Sequence, residues 1–511
     1  MNTICRTVIN PEKTAFQLLG GAALSYDELE DASLRTANWF RSLGLKRGDH
    51  IAFMLENRCE LVSLCWAAQR CGLYYTLIAS HLKADEAAYI TDNCDAILVA
   101  TSPRFADMWR GLKTRLDRVR HWVNVEGEQD GFLSLEANAE NYPSTPSEEE
   151  YEGSSMLYSS GTTGKPKGVI RPTNATPFGQ ERLSPIYQDY YGMDETTVYL
   201  SPAPLYHAAP LRCVMAIHRI GGTVLAMEKF DAERMLAAVE RYQVTHVQLV
   251  PTMMRRLVDL PDNIREKYDL SSLKIIVHAA APCPIDLKQT AINWFGPIVC
   301  EYYGSTEGVG VTYITSEEWL SRKGSVGRAI IGEPHIIGKD GSELPAGEVG
   351  EIYFANGPAF EYYNDPEKTA AAANAQGWVT LGDIGSLDED GYLYLTDRKS
   401  FTINSGGVNI YPKEIEDILR AHEDVADVAV ISAPNREFGE EVKAVVQLRR
   451  PSTDPDATEK DLIAHCRTHI SHVKCPKSVD FVDQLPHSDA GKLLKGELKK
   501  RYWKEDGLAC Q

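Results

Sequence analysis

Two hydrophobic periodicities follow one another along most of this chain: apolar residues recurring every three or four positions, and short apolar runs bounded by turn residues. Ser25-Tyr26-Asp27-Glu28 is a capping-box pattern, and Leu29, Ala32, Phe40 and Leu43 then fall on one helical face up to Gly44. Residues 222–227 read as a strand, 231–242 as a helix opened by a capping aspartate, and 245–250 as a second strand. That order predicts a βαβ unit with its two strands paired in parallel. Residues 272–279 and 297–302 add two buried-strand patterns. Strands alternating with helices in this way predict an α/β fold, with parallel or mixed sheets flanked by helices.

The pattern changes after Asp397-Arg398-Lys399-Ser400. Pro412 opens a helix through Leu419, strands follow at 425–431 and 442–448, then a helix over 456–470 and a strand near 478–482. This self-contained set predicts a small α+β C-terminal domain, dividing the chain into 1–398 and 399–511.

Composition narrows the class. A chain of 511 residues exceeds one ordinary core. No apolar run approaches the roughly 18 residues that cross a bilayer. The first 17 residues lack a basic segment followed by an apolar one, so no secretory leader is expected. The 11 cysteines are scattered without a C-x-x-C pair, which points to reduced thiols in a cytoplasmic protein. A net charge of −19 argues against nucleic acid as a partner. An acidic chain can still bind nucleotides, provided that it gathers Lys, Arg and backbone N–H groups locally.

One segment does so. In Tyr158-Ser159-Ser160-Gly161-Thr162-Thr163-Gly164-Lys165-Pro166-Lys167-Gly168, small residues let backbone N–H groups approach phosphate oxygens, and two lysines add charge. It is not a Walker loop, because Ser159 and Pro166 stand where that motif needs Gly and Ser/Thr. Tyr302-Tyr303-Gly304-Ser305-Thr306-Glu307-Gly308 follows a strand pattern, at the position where α/β sheets place ligands, and Glu307 offers oxygen ligands for Mg²⁺. Gly377-Trp378-Val379-Thr380-Leu381-Gly382-Asp383 ends on a lone carboxylate. Asn404-Ser405-Gly406-Gly407-Val408-Asn409 has paired glycines that permit close backbone approach. Leu485-Pro486-His487-Ser488-Asp489-Ala490-Gly491-Lys492 puts a lysine after glycine on a loop. Singly, each has a bland alternative as a turn, a cap or a basic tail.

Taken in order, these motifs resemble those of the adenylate-forming superfamily: acyl-CoA synthetases, adenylation domains of peptide synthetases and beetle luciferases. The resemblance runs from Tyr26 to Lys492. It implies that the loop Ser159, Ser160, Gly161, Thr162, Thr163, Gly164, Lys165 and Lys167 binds ATP phosphates, and that Tyr303 flanks the adenine. It further implies that Thr306 contacts the α-phosphate, Glu307 binds Mg²⁺, and Asp383 and Arg398 hold the ribose. Lys492 matches the lysine of adenylation, with Ala490 where the family has Thr or Ser. Ser405, Gly406 and Gly407 match the loop lining the tunnel for the CoA thiol. Ser400 stands where the family places Asp or Lys as the hinge of a domain rotation. His207, in Ser201-Pro202-Ala203-Pro204-Leu205-Tyr206-His207, matches a histidine between acyl pocket and tunnel.

The implied activity is ATP-dependent ligation of a carboxylic acid to coenzyme A through an acyl adenylate. Both first-step reactants are anions, so alignment and charge neutralisation carry that step. Ala208, Ala209 and Pro210 replace the aspartate that peptide-synthetase domains present to an amine. The implied acyl wall is His207, Val250, Thr252, Met253, His278, Ala279, Ala280 and Ala281, which suits a bulky hydrophobic acid. Medium- or long-chain, aryl and ring-bearing acids stay open. So do two rivals: a ligase loading a carrier protein, and a catalytically inactive acyl- or nucleotide-binding protein. The expected partners are the acid, ATP and CoA, with no transmembrane segment, and a homodimer is compatible with the chain.

Overall fold

The computed structural model describes residues 4–5, 10–159, 166–173, 175–180, 184–405, 408–435, 438–487 and 493–505. The capping box of the first helix forms as the pattern requires. Ser25 Oγ accepts from the Glu28 amide at 3.2 Å and the Glu28 carboxylate from the Ser25 amide at 2.8 Å, opening the helix Tyr26–Ser42.

The fold is mixed α/β, with a large N-terminal sheet domain and a smaller C-terminal domain. The centre of the largest sheet is a parallel block: Thr14–Leu18, Thr223–Ala226, Val198–Ser201, His246–Leu249, Ile275–His278 and Val299–Gly304, in that spatial order. The predicted strands at 222–227 and 245–250 are parallel but not neighbours, because Val198–Ser201 lies between them and pairs with both. Each strand there satisfies its ladder on both edges, and a local pattern carries no signal of a third strand arriving from earlier in the chain. Beyond Val299–Gly304 the sheet turns antiparallel, through Val311–Ile314, Ser325–Ile331, Leu393–Arg398, Val379–Leu387, Gly350–Ala355 and Glu333–Ile337.

A second parallel sheet is built on His50–Met54, Tyr74–Leu77, Leu98–Thr101 and His121–Asn124. A small antiparallel one joins Leu157–Ser159, Lys167–Ile170 and Glu361–Tyr362. The helix Ala208–Ile220 shares one apolar core with the second sheet and with one face of the largest; Trp66, Phe53, Ile217 and Tyr199 are buried in it. The opposite face of the largest sheet packs on Leu236, Met253, Leu257 and Leu287.

The last strand of the large sheet ends at Arg398, and the first of the small domain begins at Ile403. That domain pairs Val425–Asn435 with Gly439–Leu448 and Ser478–Phe481 around its own core of Ile403, Ile415, Leu419, Val428 and Leu462. Asp397 bridges the two domains, its Oδ2 accepting from the Lys413 amide at 2.9 Å in the first turn of the helix Pro412–Arg420. All ten described cysteines are free thiols. Among the described residues no helix is long and apolar enough to cross a membrane.

Candidate active site

The parallel block delivers its carboxyl ends to one edge, where side chains from different strands converge. His207, Val250, Thr252, Ala279, Ala280, Ala281, Thr306 and Glu307 all follow such ends. The period of two along Val299–Gly304 sends consecutive residues to opposite faces. Tyr302 packs toward the helix Ala208–Ile220, and Tyr303 toward Phe354 and the antiparallel half of the sheet.

On the Tyr303 side, three predicted residues form one hydrogen-bonded unit. The Tyr303 hydroxyl donates to Asp383 Oδ2 at 2.5 Å, and Arg398 Nε donates to Asp383 Oδ1 at 2.9 Å. Asp383 and Arg398 are direct partners on antiparallel strands, which explains how residues 15 apart meet. Burial, reinforced by the Asp383 charge, pushes the Tyr303 hydroxyl well above its ordinary pKa, so it is held as a donor. An ionised carboxylate has about four lone-pair sites, so two donors leave room for two more. A cleft of about 280 Å³ adjoins this unit, lined by Leu381, Gly382, Arg398, Lys399 and Ser400.

Glu307 is buried, and its Oε1 accepts from the Tyr362 hydroxyl at 2.9 Å. Tyr362 belongs to the small antiparallel sheet, opposite Val169, and the Lys167 ammonium sits 4.9 Å from the Tyr362 ring centre. Lys167 is paired with Ser159 at the base of the hairpin whose connection is the phosphate-loop motif. Burial and the neighbouring Lys368 charge lower the Lys167 pKa, while the Glu307 and Asp365 charges oppose that shift. The hairpin base thus faces Glu307 as a phosphate- and metal-binding pair would require. A buried carboxylate beside a lysine, with one oxygen already positioned, has donor chemistry that fits Mg²⁺ shared with phosphate oxygens. Gly308, at φ +68°, leaves the space into which Arg171 reaches; a Cβ there would stand 1.8 Å from Arg171 Nη2. That Nη2 donates to the Glu307 carbonyl at 3.4 Å.

The Tyr302 side connects through Arg212, whose Nη2 donates to the Thr306 carbonyl at 2.9 Å. Arg212 lies on the helix Ala208–Ile220, immediately after His207, whose ring is 4.6 Å from that of Tyr206. Three predicted wall residues do not join this face, Val250 among them, which packs against the second core. His278 and Met253 are buried on the opposite side of the sheet, because strand alternation places His278 with Ile276 and the helix Pro251–Val258 turns Met253 into the second core. His278 Nε2 lies 3.6 Å from Glu301, itself 2.6 Å from Lys288 Nζ. Burial and the Lys288 charge hold the His278 pKa well below its ordinary value, so the ring is neutral.

Ser160, Gly161, Thr162, Thr163, Gly164, Lys165, Gly406, Gly407 and Lys492 lie outside the described residues. Ser159 and Ser405 end the strands that lead into two of these loops. The sequence reading did not single out Tyr362, Arg171 or Arg212. Arg212 had a usable signal, its position on the helix that His207 opens; Tyr362 had none, since only strand pairing brings it to Glu307.

Residues 7–363 match the AMP-binding enzyme family, and residues 414–492 match the AMP-binding enzyme C-terminal domain. The chain is 32% identical over 503 residues to the feruloyl-CoA synthase of an Amycolatopsis species, covering 97% of each chain. It is 30% identical over 497 residues to the 2-succinylbenzoate–CoA ligase of Bacillus licheniformis, covering 96% of this chain and 98% of that one. The crystal structure of ATP-bound MatB from Rhodopseudomonas palustris superposes with a TM-score of 0.85 at 27% identity, over 98% of both chains.

Proposed function

This chain belongs to the AMP-binding enzyme family, as an AMP-forming acid–CoA ligase of the adenylate-forming superfamily, and from that premise we propose that it activates a bulky carboxylic acid with an apolar body, in the cytoplasm. The observation that carries this reading is the continuity of the Tyr303–Asp383–Arg398, Glu307–Tyr362 and Arg212–Thr306 contacts around one strand end. They bring a nucleotide-suited face and an acyl-suited face to the same backbone. Relatives that act on succinylbenzoate and ferulate support an aryl or ring-bearing acid. The small residues of the Ala279–Ala281 segment, which follows the end of the strand Ile275–His278, suit such an acid.

In this proposal Asp383 receives the ribose hydroxyls on its remaining lone pairs, Arg398 orients that carboxylate, and Tyr303 covers the adenine. Lys167, with the Ser160–Lys165 loop, neutralises the phosphates, and Thr306 donates to the α-phosphate. Glu307 would hold Mg²⁺, which supplies charge neutralisation at the phosphates. The acid's carboxylate is already a nucleophile, so no general base is needed for adenylation; Lys492 bridges it to the α-phosphate and aligns the two anions. Thioester formation needs the same centre opened to a thiol. Ser405, Gly406 and Gly407 line that approach, His207 closes the acyl side, and the domain boundary at 398/399 with Ser400 as hinge absorbs the rotation.

The test is AMP release from ATP across fatty, benzoic, cinnamic and ring-bearing acids, with and without CoA. AMP together with a thioester, formed only when CoA is present and from one class of acid, is the expected result. AMP retained on the enzyme regardless of CoA would replace it with the carrier-loading reading.

A further inference from the structure

The sheet face that meets the helix Ala208–Ile220 carries polar side chains where a sealed core would carry aliphatic ones. Tyr199, Gln248 and Tyr302 stand one or two residues before the carboxyl ends of their strands, roughly 3–7 Å below the edge at about 3.3 Å per residue. They form a chain: the Tyr199 hydroxyl donates to Gln248 Oε1 at 3.3 Å, and Gln248 Nε2 donates to the Tyr302 hydroxyl at 3.1 Å. The Tyr302 proton at the end of that chain has no acceptor among the described residues. On the helix Ala208–Ile220, the Arg212 guanidinium gives one hydrogen bond, to Thr306, and no carboxylate lies within ion-pair distance of it among the described residues.

Gln248, Tyr302, Arg212 and Tyr187 all keep accessible surface, although they lie between a helix and the middle strands of the sheet. Tyr302 and Tyr187 pack against the apolar core without being sealed in it, so solvent or a ligand can reach them. Tyr302 packs toward the helix Ala208–Ile220 that carries Arg212, and Arg212 in turn holds the carbonyl of Thr306, four residues after Tyr302.

The groups still open to a ligand on this floor are therefore donors, the Tyr302 proton and the remaining Arg212 N–H groups. A purely aliphatic tail would strip water from the Tyr302 proton and the Arg212 guanidinium and give neither a partner, which is costly. The depth from the edge to this floor is about that of one substituted ring. We infer that the acid carries a hydrogen-bond acceptor at the end remote from its reacting carboxylate, a second carboxylate or a ring oxygen, received by the Tyr302 hydroxyl and the Arg212 guanidinium. This deepens the acid–CoA ligase reading and rests on it.

The test compares kcat/KM for CoA-dependent AMP release with three ring acids of equal length, ending in a carboxylate, a hydroxyl or a methyl group. A site built around donors discriminates strongly against an analogue lacking the acceptor. The better acceptor-bearing acid should exceed the methyl-terminated one by at least about tenfold, and Tyr302→Phe should cut that ratio at least about fivefold. Preference for the carboxylate assigns the anchor to Arg212, and preference for the hydroxyl assigns it to Tyr302. Equal use of all three acids, better use of the methyl-terminated one, or a ratio unmoved by both Tyr302→Phe and Arg212→Met with thermal unfolding intact, overturns the inference and leaves the ligase reading standing. No AMP from any acid overturns both.

Discussion

Asp383 shows how much of the site is decided by the neighbours of a single side chain. Its two oxygens already accept from Tyr303 and Arg398, so the carboxylate is oriented before any ligand arrives. Asp383→Ala removes the acceptor and leaves two donors facing each other. It should raise KM for ATP by tenfold or more while the acid's KM changes little, and steady-state kinetics at varied ATP would check this. An unchanged KM for ATP would take Asp383 out of the ribose site. Asp383, Tyr303 and Glu307 were legible in the sequence because each sits in a short motif of fixed spacing. Tyr362, which holds Glu307, was not, because a tyrosine 55 residues away carries no local mark of its pairing.

At the scale of elements, the strand Val299–Gly304 divides the molecule's chemistry by alternation alone. Tyr302 goes to the face of the helix Ala208–Ile220, Tyr303 to the face of Phe354, and Glu301 into a buried ion pair with Lys288 from the helix Ile285–Phe295. Removing one partner of a buried pair strands the other's charge, whereas replacing both by apolar groups of similar volume can be neutral. Lys288→Met should therefore destabilise the fold by about 3 kcal/mol, and Lys288→Met with Glu301→Leu by much less. Chemical denaturation of both variants would show it, and equal losses would mean that the pair is not coupled. Periodicity foretold most of these elements to within a few residues, because amphipathic helices and buried strands are local patterns. The order of strands was not foretold: placing Val198–Ser201 between its two neighbours is a long-range choice.

Over the whole molecule, burial leaves several histidines reluctant to take a proton. Burial lowers both His50 and His218 to about 4 and His278 well below its ordinary value. Each has a folded pKa below its unfolded value of about 6.5, so the unfolded chain binds more protons between the two. Their contribution is complete above about pH 6.5 and is lost progressively as pH falls toward 4. His218 also accepts from Trp66 Nε1 at 3.0 Å on Nδ1, a bond that a protonated ring cannot make. Calorimetry should show Tm falling between pH 7 and 4.5, with a shallower fall in His50→Phe, whose ring can still pack between Tyr74 and Tyr363. A flat Tm over that range would contradict the assignment.

What the sequence determined by itself is the set of local features. Capping residues, hydrophobic periods and short Gly-, Ser- and Thr-rich motifs act within a few residues of one another, and they sufficed for the α/β class, the division into a large and a small domain, and the candidates Tyr303, Glu307, Asp383 and Arg398. Tertiary structure alone decided which strand lies beside which, and hence which side chains share a face. It turned His278, Met253 and Val250 away from the proposed acyl wall, brought Tyr362 to Glu307 and Arg212 to Thr306, and set Tyr199, Gln248 and Tyr302 in one hydrogen-bonded row. The physical reason is that backbone pairing joins residues far apart in the chain, and a period of two then fixes the face each side chain must take.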